Sequence, residues 1–125
     1  MKAGESQGTP FRDSIYNESR SSSWFFLRQR SDNFPSAIGL GASWDKQLAE
    51  KVAEVIGDET VSAHAKQAWS PVLDVAQDAR WGRCEETFGE DPILVSKIGG
   101  AWIKGYQSKG LWTTPKHFAG HGAPL

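Results

Sequence analysis

Long apolar runs are missing from this 125-residue chain. The longest is Trp24-Phe25-Phe26-Leu27, whereas a helix crossing a bilayer takes about 20 such residues. No membrane partner is therefore expected. An excess of one charge is missing too. Fourteen basic side chains face 15 acidic ones, for a formal net charge of −1, so nothing draws in nucleic acid or anionic lipid by bulk electrostatics. Cysteine is nearly absent. Cys84 stands alone, which excludes an internal disulfide and a Cys-based zinc site. The opening residues Met1 to Gly8 contain no apolar core of a secretory signal peptide, which leaves the compartment undefined. No repeat of about 20–50 residues is visible.

What the chain does have is unevenly distributed. Residues 1–33 hold seven Ser, four Arg and few aliphatic side chains, with a period of neither 3.6 nor 2. This stretch reads as a poorly ordered lead-in, and the folded part is expected over 34–125. After Phe34-Pro35, Ser43 is a good helix N-cap, with Asp45 placing negative charge in the first turn. Leu48, Val52, Val55, Ile56 and Glu59 then recur at helical spacing, and all but the last are apolar. A helix is predicted over residues 45–63, weakened near its end by Gly57.

Residues 68–75, Ala-Trp-Ser-Pro-Val-Leu-Asp-Val, are apolar at most positions. That pattern suits a parallel strand covered on both faces, with Pro71 near its start. Asp91-Pro92 is a strong helix start. Ile93, Leu94, Ile98, Ala101, Trp102 and Tyr106 supply an apolar face. Gly99-Gly100 interrupts it at about 1 kcal/mol per Gly relative to Ala, which close packing on a neighbour would explain. Gly105 and Gly110 bracket the exit. Residues 111–118 form a second strand candidate, and Ile38-Gly39-Leu40 a third. Trp69 and Trp102 are assigned to core packing. Helix, strand, loop, helix, strand, loop is the alternation of α/β folds with parallel strands. Their chemistry collects at the carboxyl ends of the strands.

Two polar clusters lie at those ends. Residues 78–92 pack five carboxylates, two Arg and Trp81 into one loop. The arginines suit recognition of hydroxyl or carboxylate groups. Alternatively, the acids and arginines pair with one another and hold the loop in shape. The second cluster is Lys116-His117, a point charge with three donors beside a titratable imidazole. Neighbours in a strand face opposite ways, so both reach one ligand only if the strand ends there, as Ala119-Gly120-His121-Gly122 suggests. The plainer alternative is a buried His beside a solvated Lys. No cofactor is called for. His117 and His121 are four apart, but glycines flank His121 and no third metal ligand stands out. Gly39-Leu40-Gly41 is too short for a dinucleotide fingerprint, and Cys84 has no base partner nearby in sequence.

Taken together, the clusters resemble glycoside hydrolase family 3, which includes β-glucosidases and β-xylosidases. The resemblance rests on Phe34 to Asp45, Ser70-Pro71-Val72-Leu73-Asp74-Val75, Arg80-Trp81-Gly82-Arg83, Glu85 to Pro92, and Lys116-His117-Phe118-Ala119-Gly120-His121-Gly122, in that order. It covers residues 34–124. It implies an N-terminal domain that is part of a TIM-like (β/α)8 barrel, incomplete in this chain. It also implies a glycoside or oligosaccharide substrate. Arg83, Lys116 and His117 are then the binders of sugar hydroxyls where cleavage occurs, in a retaining enzyme acting on non-reducing terminal glucose or xylose.

The same resemblance puts the nucleophilic Asp downstream of Leu125 and the general acid further on, so no catalytic carboxylate is assigned within the chain. Retaining hydrolysis sets two carboxyl groups about 5–5.5 Å apart, and Asp74, Asp78, Glu85, Glu86 and Glu90 match positions the family uses otherwise. The family's Arg-Asp-Pro-Arg is here Gln77-Asp78-Ala79-Arg80, and its acidic sugar-binding loop ahead of Phe34 has no counterpart in residues 1–33. Two other readings stay open. One is a β-N-acetylhexosaminidase, whose branch shares the Lys-His-Phe-x-Gly-His-Gly loop. The other is a non-catalytic truncated remnant.

Overall fold

The computed structural model describes residues 34–123, and Ile15–Tyr16 as backbone. The rest of the stretch read as a poorly ordered lead-in lies outside the described residues, as do residues 124–125. Elements follow in the order β1 (Ile15–Tyr16), α1 (Ala37–Gly41), α2 (Lys46–Ser62), β2 (Gln67–Ala68), a 3-10 turn (Cys84–Glu86), α3 (Pro92–Ser108) and β3 (Trp112–Thr113). The three strands form one parallel sheet in the order β1-β2-β3. Gln67 pairs with Ile15 on one side and Trp112 on the other. Parallel neighbours need a long crossover, and a helix lies in each connection. No helix among the described residues is long and apolar enough to cross a membrane.

Both long helices are set by their ends. At α3 the Asp91 carboxylate accepts from Ile93 N at 2.8 Å, and Pro92 occupies the first turn. At α2 the cap is Asp45, accepting from Gln47 N and Leu48 N, and not Ser43 as expected. The Ser43 hydroxyl instead donates to Leu40 O at 2.6 Å and closes the turn before the helix. Each helix ends in the same crossed pair of hydrogen bonds. His64 N donates to Val61 O and Ala65 N to Thr60 O, just as Gly110 N donates to Gln107 O and Leu111 N to Tyr106 O. This closing motif needs a left-handed residue after the cap. Gly110 adopts it at φ 76°, and His64 adopts it at φ 66°.

The core lies where α2 packs on α3, with α3 also in contact with β3. Ala49, Val52 and Ala53 of α2 meet Leu94, Val95, Ile98, Trp102 and Tyr106 of α3 in one buried cluster with Leu40, Ala68, Phe88 and Leu111. Phe88, Trp102 and Tyr106 form a row with ring centroids 5.8 and 5.6 Å apart. Fully burying a side chain such as Phe88 contributes about 1.5–3 kcal/mol.

Several expectations are corrected. The buried stripe of α2 is rotated from the predicted one: Ala49, Val52, Ala53, Gly57 and Thr60 face inward, while Leu48 and Val55 are exposed. Small residues win because the helices approach closely. A Cβ on Gly105 would run into the Glu50 carbonyl and the Ala53 side chain, so Gly105 belongs to the helix body and does not mark its exit. Gly99 is explained likewise by Leu73 and Phe88, whereas Gly100 has open space beside it. Ile93 faces solvent.

Ile38-Gly39-Leu40 is helical, because Leu40 N and Ala42 N bond four residues back and Leu40 inserts into the core. Each predicted long strand shrinks to two ladder residues plus one bridge, Val72 to Lys116. Pro71 falls between ladder and bridge, not near the strand start. Trp102 is buried as expected, but Trp69 is 44% exposed and Trp112, on β3, is 73% exposed.

Candidate functional site

The bridge sets the site. Beyond β2 and β3 the two chains stay side by side, with Leu73 N donating to Lys116 O at 2.7 Å and Lys116 N to Pro71 O at 3.0 Å. Asp74 and His117 therefore leave the sheet next to each other. The His117 ring Nδ1 lies 2.6 Å from Asp74 Oδ2, and the His117 backbone N–H donates to Asp74 Oδ1 at 3.4 Å. The Asp74 side chain is 0% exposed and that of His117 is 30% exposed. A buried carboxylate is tolerated only when paired and hydrogen-bonded, and His117 does both. The Ser70–Pro71, Lys116–His117 and Phe118–Ala119 peptide bonds are cis.

The loop after β2 supplies the facing wall. Phe88 and Thr87 anchor it in the core. Ala76 N donates to Gly89 O, and Gln77 N and Asp78 N both donate to Gly122 O. That last contact joins the loop after β2 to the loop after β3. Gly122 is needed there because a Cβ would enter the Val75 carbonyl. Asp78 accepts from both the backbone and the side chain of Arg80. This exposed pair lowers the Asp78 carboxyl and raises the Arg80 guanidinium. The Cys84 thiol donates to Trp81 O at 3.0 Å.

Arg83 grips Glu86 through two parallel bonds of 2.7 Å. Its Nη1 points the other way, 3.4 Å from His117 Nε2. The hydrogen bond to Glu86 holds the guanidinium above its ordinary range, and that from Arg83 holds the Glu86 carboxyl below its own. The positive charges of Arg83 and Lys116 lower Glu86 further. The structure thus sets Arg83 between Glu86 and His117, with Lys116 the residue before His117.

Both arginines of the loop are ion-paired, as the alternative reading of the cluster had it. The two differ in what is left over. A guanidinium has five N–H groups, and Arg83 spends one on Nε and one on Nη2, leaving Nη1 turned toward His117. Lys116 makes no ion pair among the described residues and keeps three donors.

His121 continues the cluster, with its ring centroid 5.3 Å from His117 and 5.3 Å from the buried Trp81. A cavity of about 370 Å³ opens on this side, lined by Asp74, Val75, Gln77, His121 and Gly122 among others. Arg83, Lys116 and His117 do not line it. Reasoning from sequence missed the pairing of Asp74 with His117, and foresaw that the loop arginines pair with acids without naming Glu86 as the partner of Arg83. The one signal for the first was a lone carboxylate inside the apolar run Val72-Leu73-Asp74-Val75.

Comparison with known proteins identifies the family. The family model described as the glycosyl hydrolase family 3 N terminal domain matches residues 25–125. A β-xylosidase from Formosa agariphila is 36% identical over 117 residues, covering 85% of this chain and 16% of that protein. A mutant β-glucosidase from Listeria innocua, solved in complex with laminaribiose, superposes with a TM-score of 0.72 at 36% identity. It covers 74% of this chain and 14% of its own. A family 3 β-N-acetylglucosaminidase from a Paenibacillus species gives 0.71 at 30% identity, over 74% of this chain and 18% of its own. The chain therefore spans less than a fifth of the length of these proteins.

Proposed function

Because the chain belongs to glycosyl hydrolase family 3, matching its N-terminal domain, we propose that it supplies the sugar-holding wall of a retaining β-glucosidase or β-xylosidase. In this reading residues 34–125 are part of a TIM-like (β/α)8 barrel, and Arg83, Lys116 and His117 bind the hydroxyls of a non-reducing terminal sugar. The observation that carries it is the meeting of a guanidinium and an imidazole at the carboxyl ends of two parallel strands, with Arg83 Nη1 3.4 Å from His117 Nε2 and Lys116 the residue before His117. A pyranose presents several hydroxyls, and each one taken out of water needs a partner. Donors that tighten on a hydroxyl in the transition state add rate as well as affinity.

The carboxylates of this wall are otherwise occupied. Asp74 is buried on His117, Glu86 holds Arg83, and Asp78 holds Arg80. None of the three is assigned as nucleophile or general acid, roles that the family resemblance places outside this wall. A β-N-acetylhexosaminidase is the second reading, favoured by the Paenibacillus neighbour. In a family 3 enzyme carrying residues 25–125 as its matching segment, Lys116→Ala and His117→Ala each lower kcat/KM on an aryl β-glycoside at least tenfold, about 1.4 kcal/mol. Near-normal kinetics in both would remove them from the sugar site. Aryl glucoside, xyloside and N-acetylglucosaminide tested in parallel separate the readings.

A further inference from the structure

We infer that Asp74 is a positioning residue, which locks His117 in the tautomer protonated at Nδ1 and so turns Nε2 into a hydrogen-bond acceptor on the ligand side. The geometry leaves one arrangement that satisfies both edges of the ring. On one edge, an ionised carboxylate only accepts. At 2.6 Å from Asp74 Oδ2, Nδ1 therefore carries the hydrogen, since a lone pair there would face a second acceptor. On the other edge, Arg83 only donates. Its Nη1 lies 3.4 Å from Nε2, so a hydrogen on Nε2 would set two donors against each other. Neutral imidazole with Nδ1–H meets both conditions. Asp74 acts through His117, because its side chain is fully buried and both of its carboxylate oxygens are engaged by His117. The second bond, from the His117 backbone N–H to Oδ1, fixes which carboxylate oxygen faces the ring.

For a sugar the consequence is directional. A hydroxyl seated between these groups gives its hydrogen to His117 Nε2 and accepts from Arg83 or Lys116. A ring protonated at Nε2 would instead compete with Arg83 and Lys116 for the hydroxyl oxygen. This consequence rests on the function proposed above. The tautomer does not, and it is read without any sugar, so the failure of one is distinguishable from the failure of the other.

The test is long-range proton–nitrogen correlation of the imidazoles in the full chain labelled with 15N-histidine. His64, His117 and His121 are the only histidines, and His117 is assigned by its loss in His117→Gln. The expected result is a protonated Nδ1 and an unprotonated Nε2. In Asp74→Asn the His117 backbone N–H can only donate, so the amide oxygen turns to it and the NH2 group turns to Nδ1. The two ring-nitrogen signals then exchange places. A wild-type ring protonated at Nε2 overturns the proposal, as does an unchanged pattern in a folded Asp74→Asn chain. If that variant does not fold, the wild-type spectrum still decides. In the family 3 enzyme carrying this segment, Asp74→Asn lowers kcat/KM at least tenfold while the backbone spectrum outside the loop stays unchanged.

Discussion

The α2–α3 layer and the site at the strand ends are stabilised by opposite means. Between the helices, fit is achieved by removing atoms. Ala49, Ala53 and Gly57 on one side and Gly105 on the other let the helices approach, and Phe88, Trp102 and Tyr106 fill the space that remains. At the strand ends, fit is achieved by matching charges. Asp74 is satisfied by His117, and Glu86 by Arg83, while Arg83 Nη1 and His117 Nε2 approach with no carboxylate between them. The helical layer thus has no spare binding capacity, and the site does. A place intended for a ligand is one where polar groups are held firmly but not used up.

Substitutions that break one region and spare the other sharpen this contrast. The largest effect is expected from His117→Leu, which leaves the buried Asp74 carboxylate without its ring partner and costs about 3–5 kcal/mol. Adding Asp74→Leu recovers part of that loss, because no buried carboxylate is left without its ring partner, although the backbone N–H of residue 117 then loses its acceptor. Urea midpoints of the two variants measure both numbers, and a small loss in His117→Leu would mean that Asp74 finds another partner.

Next comes the helical layer. Gly105→Ala pushes a methyl group into Glu50 and Ala53 and costs about 1–3 kcal/mol. Gly100→Ala, five residues earlier with open space beside it, stabilises by up to about 1 kcal/mol. Thermal midpoints of opposite sign for two identical substitutions on one helix isolate packing from helix propensity.

Acid titration gives a smaller effect. The folded Glu86 carboxyl lies below its ordinary value of 4.5. Its contribution to stability is present above that value and fades as pH falls through the lowered folded value. Glu86→Gln should remove this part of the acid-side slope of Tm against pH. Last, Arg80→Ala breaks an exposed pair and is expected to leave the melting curve where it was.

The two regions also differed in how far the sequence disclosed them. Local rules gave most of α3, whose start at Asp91-Pro92 and whose buried Leu94, Ile98, Trp102 and Tyr106 follow from capping and periodicity, though Ile93 faces solvent and Gly105 lies within the helix. They erred by a step in α2, where Asp45 and not Ser43 caps the helix, and where Ala49 and Ala53 and not Leu48 and Val55 face inward. Apolar size points to the core only if the partner leaves room, and Gly105 shows that it does not. The parallel strands and the gathering of polar groups at their ends were legible from element order. The pairing of Asp74 with His117 was not. It depends on the register Val72 to Lys116, and no local pattern in either segment encodes its alignment with the other.

The single carbonyl of Gly122 receives the amides of both Gln77 and Asp78, and this has a mechanical consequence. The loop bearing Arg83 and the loop bearing His117 and His121 are riveted at one point, so a ligand that displaces either drags its neighbour along. Opening and closing of the two walls should register as one event, with the Gln77 and Asp78 amides gaining or losing hydrogen-exchange protection in step.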